Sequence, residues 1–106
     1  PSLQGLKTFF KYLQSAQKLN LDLRLEYILP TMFDRRTRHS HEIFDQLKKY
    51  FSRQVCDPIH YNVRLSEAPS FGQTIFEYAA RAQGAWDYKN LSERIINNGD
   101  RQEQIT

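Results

Sequence analysis

The amino-acid sequence predicts an α/β fold in which two or three parallel strands accompany three helices. Apolar residues recur at three- and four-residue spacing in three segments, as in amphipathic helices. Short apolar runs lie between these segments, and the order helix, strand, helix, strand, loop, helix implies parallel strands joined by right-handed crossovers. So small a parallel sheet leaves its faces and edges uncovered. The pattern therefore predicts half of a doubly wound domain.

The first half of the chain supplies two helices and one strand in this prediction. A helix is predicted over residues 2–18 with Ser2 as its N-cap, and its apolar stripe consists of Leu3, Leu6, Phe10 and Leu13. A strand follows over residues 25–31, with Pro30 at its carboxyl end because proline cannot donate to a ladder. Ser40 is the predicted N-cap of the second helix. The buried stripe of that helix is Ile43, Leu47 and Tyr50 or Phe51.

The second half begins with a buried strand over residues 55–59, from the run Gln54-Val55-Cys56-Asp57-Pro58-Ile59. Residues 73–78 form a third short strand or an extended segment in this interpretation. The last helix runs from Gly84 to about Asn97. Residues 1–97 then form the half domain, and residues 98–106 form a polar tail.

Composition limits the function classes. The 106 residues make one domain at most, and 40% of them are hydrophobic, as in a globular protein. No apolar run approaches the ~20 residues that a membrane span needs. The single Cys56 cannot form an internal disulfide and fits the core of a cytoplasmic protein. His39 and His41 have no cysteine partner and do not predict a metal site.

The net charge of +3 is concentrated in one stretch. Residues 34–64 contain seven Lys or Arg against four Asp or Glu, while the remainder balances at eight against eight. Such a distribution indicates a surface that faces a polyanion.

The loop over residues 62–72 follows the second predicted strand. Open α/β sheets place their ligands at the carboxyl ends of strands. Pro69 fixes one φ angle, Gly72 can adopt a positive φ, and Arg64 is a cation on this constrained backbone.

The same loop carries a family resemblance. Residues 62–72 read N-V-R-L-S-E-A-P-S-F-G and are followed by Glu77-Tyr78, Gly84-Ala85 and Tyr88, while residues 31–38 read T-M-F-D-R-R-T-R. Up to about Ile96, the chain resembles the C-terminal region of the ParA-type chromosome and plasmid partitioning ATPases of the MinD/ParA superfamily. The family patterns are N-V-R-L-S-E-A-P-S-x-G and T-M-x-D-x-R-T.

The resemblance implies the C-terminal half of a doubly wound, parallel-sheet P-loop NTPase domain. ATP and Mg²⁺ would bind to the full-length parent, whose N-terminal half carries the phosphate-binding loop. This sequence has no G-x-x-x-x-G-K-[ST], so by itself it cannot form an ATPase site. We therefore expect no enzymatic activity and no bound cofactor from this chain alone.

The resemblance also implies two sets of site residues. The adenine side of the nucleotide maps onto Thr31, Met32, Asp34, Ile59, His60, Tyr61 and Asn62. The family usually has I-P-R-N where this chain has I-H-Y-N, and an aromatic Tyr61 could stack on a base. The structural alternative is that Thr31 and Asp34 only cap a turn.

Non-specific DNA contacts map onto Arg36, Arg64 and Arg81, which would bind phosphates. The patch would be extended by Arg35, Arg38, Lys48, Lys49 and Arg53. The alternative is a solvated charged face.

The leading functional hypothesis is thus a fragment of a DNA-segregation ATPase, nucleoid-associated in its parent, that contributes DNA surface, adenine-side contacts and dimer surface. Its partners would be DNA, a ParB-type centromere-binding protein and a second copy, bound through exposed sheet faces or by swapping. The alternative is a stand-alone interaction or assembly module with no nucleotide role. A membrane-positioning relative of the MinD type is disfavoured, because residues 101–106 are not an apolar amphipathic helix.

Overall fold

Residues 3–105 form five α-helices joined by turns and extended segments. The structure is a computed structural model that describes the backbone of residues 3–105 and the side chains of residues 4–99. The helices are α1 (Leu3–Leu19), α2 (Arg38–Tyr50), α3 (Val63–Glu67), α4 (Ile75–Tyr78) and α5 (Gln83–Ile105), and a 3₁₀ turn (Ala68–Phe71) follows α3.

The predicted parallel-sheet α/β fold is wrong, because no strand forms within residues 3–105. The segments predicted as strands over 25–31 and 55–59 meet at one isolated parallel bridge, Ile28 with Val55, and a second bridge, Phe33 with His60, lies just beyond their ends. Pro30 and Pro58 lack the N–H that a continuous ladder requires at their positions. The sheet faces through which we expected a second copy to bind are therefore absent from the described residues.

The third predicted strand, over residues 73–78, is also wrong. Residues Ile75–Tyr78 form α4, which begins with a capping box. The Thr74 hydroxyl accepts the Glu77 N–H at 3.2 Å, and the Glu77 carboxylate accepts the Thr74 N–H at 3.0 Å. The T-x-x-E spacing was a helix-start signal that the strand interpretation overlooked.

The three long helices agree better with the sequence. Helix α1 matches the predicted range, although Ser2, its predicted N-cap, lies outside the described residues. The N-cap of α2 is Thr37 rather than Ser40, because the Thr37 hydroxyl accepts the Ser40 N–H at 3.3 Å. Helix α5 continues to Ile105, past the predicted end near Asn97.

The core lies where α5 packs on the two extended segments. Its buried apolar residues are Phe33, Leu47, Val55, Cys56, Ile59, Ala68, Ile75 and Ala85. The Arg94 guanidinium of α5 donates at 2.7 Å to the carbonyl oxygens of both Val55 and Arg53. Burial raises the pKa of the Cys56 thiol, as expected of a core cysteine. This packing fixes the carboxyl ends of both extended segments beside the first turns of α5.

Within the described range, none of the helices combines the length and the apolar character needed to span a bilayer.

Candidate functional site

The turns that follow the two extended segments face each other across a cleft of about 490 Å³. Its lining includes most of the predicted charged and polar site residues, together with one residue of α5: Asp34, Arg35, Arg36, His60, Tyr61, Asn62, Arg64 and Gln83. The structure thus brings together Arg36 and Arg64, which are far apart in sequence. Arg81 is exposed on the turn before α5 and does not line this cleft.

Asp34 organises the first turn. Its carboxylate accepts the backbone N–H of Arg36 and two guanidinium N–H groups of that residue, each at 3.0 Å. Hydrogen bonding from the Arg36 side chain, then from its backbone, lowers the pKa of Asp34. The Arg36 side chain nevertheless stays 81% exposed. Asp34 therefore caps this turn and leaves the arginine accessible.

Asn62 starts the second turn. Its side-chain oxygen accepts the Arg64 N–H at 2.8 Å and caps α3. Arg64 lies 3.4 Å from the Glu67 carboxylate, and its side chain is 60% exposed. Glu67 also accepts a hydrogen bond of 2.6 Å from the Tyr78 hydroxyl, which raises the pKa of Tyr78. Arg64 is therefore restrained at the surface rather than locked inside.

His60 is held by a buried carboxylate that sequence reasoning missed. Asp87 is only 8% exposed, and its Oδ2 accepts the His60 backbone N–H at 2.8 Å and lies 3.0 Å from His60 Nδ1. Its Oδ1 accepts the Gln83 amide at 2.8 Å. Burial alone would raise the pKa of Asp87, but the hydrogen bonds from His60 and Gln83 outweigh it and lower that pKa. The available signal was an acidic residue beside the apolar stripe of the last helix.

The predicted adenine-side residues divide between two cavities. A smaller cavity of about 190 Å³ is lined by Thr31, Met32, Ile59, Leu65, Ser66 and Tyr88, together with His60, Tyr61 and Asn62. The last three residues also line the larger cleft, whereas Asp34 lines only the larger one. Met32 has a φ of 54°, which is unusual for a residue with a side chain. The Tyr61 ring, 51% exposed, thus borders both cavities.

Among the described residues, no three His, Cys, Asp or Glu side chains converge as a metal ion would require.

Comparison with known proteins identifies relatives. No established family profile matches the chain. It is 41% identical over 100 residues to the sporulation initiation inhibitor protein Soj of Bacillus subtilis, a match over 92% of this chain and 40% of that protein. It is 42% identical over 81 residues to the chromosome partitioning protein ParA of Myxococcus xanthus, covering 76% of this chain and 29% of the relative. It is 39% identical over 97 residues to the chromosome-partitioning ATPase Soj of Thermus thermophilus, covering 90% and 39%.

These matches place the chain among homologues of bacterial chromosome-partitioning proteins. In particular, it is a homologue of part of the Soj/ParA proteins, which confirms the resemblance found in the sequence. The chain spans about two fifths or less of the length of these relatives.

Proposed function

We propose that this chain is the DNA-facing segment of a chromosome-partitioning ATPase, contributing a cationic DNA surface, contacts to the adenine side of the nucleotide, and dimer surface. The observation that carries the proposal is the shared cleft of Arg36 and Arg64, whose side chains are 81% and 60% exposed. Homology to the Soj/ParA proteins supports the partitioning role.

The charge of the cleft supports phosphate binding. Three arginines line it, against a single carboxylate, Asp34, which is already paired with Arg36. Exposed arginine side chains bind phosphate oxygens without reading sequence. Arg81, outside this cleft, would add a contact where the DNA backbone continues past the start of α5.

The chain supports only part of a nucleotide site. Tyr61 offers an exposed ring for stacking on a base, and polar groups of Asn62 and Thr31 surround it. The donor set does not fit Mg²⁺, because no carboxylate cluster converges within the described residues, and the sequence has no phosphate-binding loop. ATP and Mg²⁺ would therefore depend on residues outside this sequence, as would stimulation by a ParB-type partner.

Exposed aromatic residues of α1, Phe9 and Tyr12, support association with a second copy, because they offer an uncovered apolar surface. We expect light scattering to show a dimer at micromolar concentration; a monomer at all concentrations would remove dimer surface from the proposal.

The decisive experiment measures binding of a 30-base-pair duplex of random sequence to the full-length gene product at two salt concentrations. We expect Arg36→Ala and Arg64→Ala each to weaken binding and to reduce the slope of log affinity against log salt by about 0.9. Lys18→Ala, which removes an exposed cation at the far end of α1, is the matched control. Unchanged affinity and slope in both arginine variants would contradict the proposal.

A stand-alone interaction module is the second candidate. The observation that favours it is a cavity of about 520 Å³ between α1 and α2, lined mainly by apolar residues such as Leu6, Phe10 and Phe51. Loss of DNA binding in the arginine variants would argue against a module with no DNA or nucleotide role.

A further inference from the structure

Three features fix the imidazole of His60 in place. Its Nδ1 lies 3.0 Å from Asp87 Oδ2, and its backbone N–H donates to the same oxygen. The ring of Phe33 packs edge-on against it, with centroids 5.5 Å apart and an interplanar angle of 88°. Since Phe33 and Asp87 are both 8% exposed, both supports of the ring are themselves immobilised by burial.

Asp87 also determines which nitrogen carries the proton. The hydrogen bonds that lower the pKa of Asp87 keep it ionised, and an ionised carboxylate only accepts. Nδ1 of His60 must therefore be the donor, so Nε2 is either a bare lone pair or, in the imidazolium, an N–H group.

The second nitrogen is available to a ligand. Nε2 makes no hydrogen bond within the described residues. In that part of the chain, every side-chain nitrogen or oxygen that is sealed from solvent has a hydrogen-bond partner. Nε2 is therefore open to solvent. The side chain is 19% exposed and lines the cationic cleft beside Arg36 and Arg64.

We propose that His60 is a phosphate-binding residue of this cleft and that it binds the phosphate as an imidazolium, so that phosphate affinity is coupled to proton uptake. The ligand class is a phosphate oxyanion, supplied by a nucleic-acid backbone or by a nucleotide. This inference rests on the proposed function, because the same cleft is assigned to DNA and nucleotide.

The chemistry follows from the fixed tautomer. A lone pair on Nε2 repels phosphate oxygens, whereas an Nε2–H of the imidazolium donates a charge-assisted hydrogen bond to them. Phosphate therefore prefers the protonated form, and by linkage its affinity falls as the imidazolium loses its proton. The fall approaches about one log unit per pH unit for one linked proton.

Charged groups of both signs surround His60. The charged and titratable side chains that line the three cavities around His60 are Asp34, Arg35, Arg36, His41, Asp45, Asp57, Tyr61, Arg64, Asp87 and Tyr88. Of these types, only histidine ordinarily titrates between pH 5 and 8. His41 is engaged elsewhere, with its Nε2 2.8 Å from the Arg35 carbonyl oxygen.

The test measures binding of the full-length gene product to duplex DNA and, separately, to ATP from pH 5.5 to 8.5 at constant ionic strength. We expect DNA affinity of the wild type to fall about three- to tenfold per pH unit over part of this range, and His60→Gln to change less than twofold across the range. His39→Gln, an exposed histidine of α2, should keep the wild-type response. Because the terminal phosphate of ATP itself titrates near pH 6, the ATP readout is the difference between wild type and His60→Gln.

A His60-dependent pH response with DNA alone assigns the site to backbone phosphates, and one with ATP alone assigns it to a nucleotide. A wild type that shows no pH response with either ligand overturns the inference, as does a His60→Gln variant that retains the full response. If Arg36→Ala and Arg64→Ala still weaken binding in that case, the proposed function stands and only the role of His60 fails. A wild type that binds neither ligand overturns both.

Discussion

The side chain of Leu65 packs directly against Gly84, so closely that a Cβ added to Gly84 would lie 2.5 Å from Leu65 Cγ. This contact joins α3 to the start of α5, because Gly84 is the second residue of that helix. Arg64 precedes Leu65 in α3. On the other side of the contact, Gln83 and Asp87 lie in the first two turns of α5, which support His60. The contact therefore couples the position of Arg64 to the His60–Asp87 pair.

Gly84→Ala should destabilise the protein by about 1–3 kcal/mol, because overpacking forces the half-buried side chain of Leu65 to move. The helix itself would gain from alanine, so the loss measures the displacement of Leu65. Gly99→Ala is the matched control, since nothing lies within 4 Å of a Cβ at that position of α5. We expect Gly99→Ala to stabilise by about 0.5–1 kcal/mol in urea unfolding. Equal effects of the two substitutions would contradict the contact.

Arg94→Ala should destabilise the protein by about 2–4 kcal/mol, because it removes two hydrogen bonds from a charged group and leaves the carbonyl of buried Val55 without its 2.7 Å donor. Glu93→Ala alters the neighbouring exposed residue and should change stability by less than about 0.5 kcal/mol. The urea midpoint of each variant gives the comparison. A small effect at Arg94 would mean that α5 is held on the extended segments by apolar packing alone.

The lowered pKa of Asp87 predicts that the protein loses stability in acid. Its folded pKa lies below the ordinary value of 3.8, so the folded state binds this proton less readily than the unfolded state does. The stabilisation is therefore complete well above pH 3.8 and is lost as pH falls from there through the lowered folded value. Urea unfolding at pH 7, 4 and 3 should show a smaller loss of stability in Asp87→Asn than in the wild type. Asp22→Asn, at an exposed carboxyl in the turn after α1, should follow the wild type.

The sequence was sufficient for the helices with clear apolar periodicity and for the conformation of Gly72, whose φ is 65°. It was insufficient for the sheet. Apolar runs over residues 25–31 and 55–59 indicated strands, but Pro30 and Pro58 interrupt the ladder and leave one isolated bridge within these runs and one just beyond them. A run of apolar residues indicates that a segment is buried. It does not indicate whether the backbone N–H groups that extend a sheet are present. The capping box of Thr74 was visible in the sequence, but residues 73–78 were interpreted as a strand or extended segment instead.

For the candidate site, the family resemblance assigned Arg36 and Arg64 to one set and Tyr61 and Asn62 to another, and the structure brings all four into one cleft, because each lies just after an extended segment. Their roles remain predictions. The partner of His60 was not predictable from local spacing, since Asp87 lies 27 residues further along the chain. Pairings over such distances depend on how α5 packs, which periodicity alone does not determine.

We expect Tyr78 to influence Arg64 indirectly, through the carboxylate of Glu67. Its hydroxyl and the Arg64 guanidinium share Glu67 Oε2, at 2.6 and 3.4 Å. Tyr78→Phe removes the shorter hydrogen bond and keeps the stacking on Phe71, whose ring centroid is 5.2 Å away. The Glu67 carboxylate then keeps Arg64 as its partner without competition from the tyrosine. The arginine should therefore be held more firmly and should bind phosphate less readily.

We expect Tyr78→Phe to weaken duplex-DNA binding measurably but by less than about tenfold, because exposed charge pairs contribute little. Glu67→Gln removes the competing carboxylate, so this variant should bind DNA at least as tightly as the wild type. Phe76→Leu, which alters an exposed aromatic residue of the same helix, should bind like the wild type. The measurement is DNA affinity at low salt, where competition between carboxylate and phosphate for the guanidinium is least screened. Tighter binding by Tyr78→Phe would reverse the argument, because it would mean that the tyrosine presses Glu67 toward Arg64 instead of drawing it away.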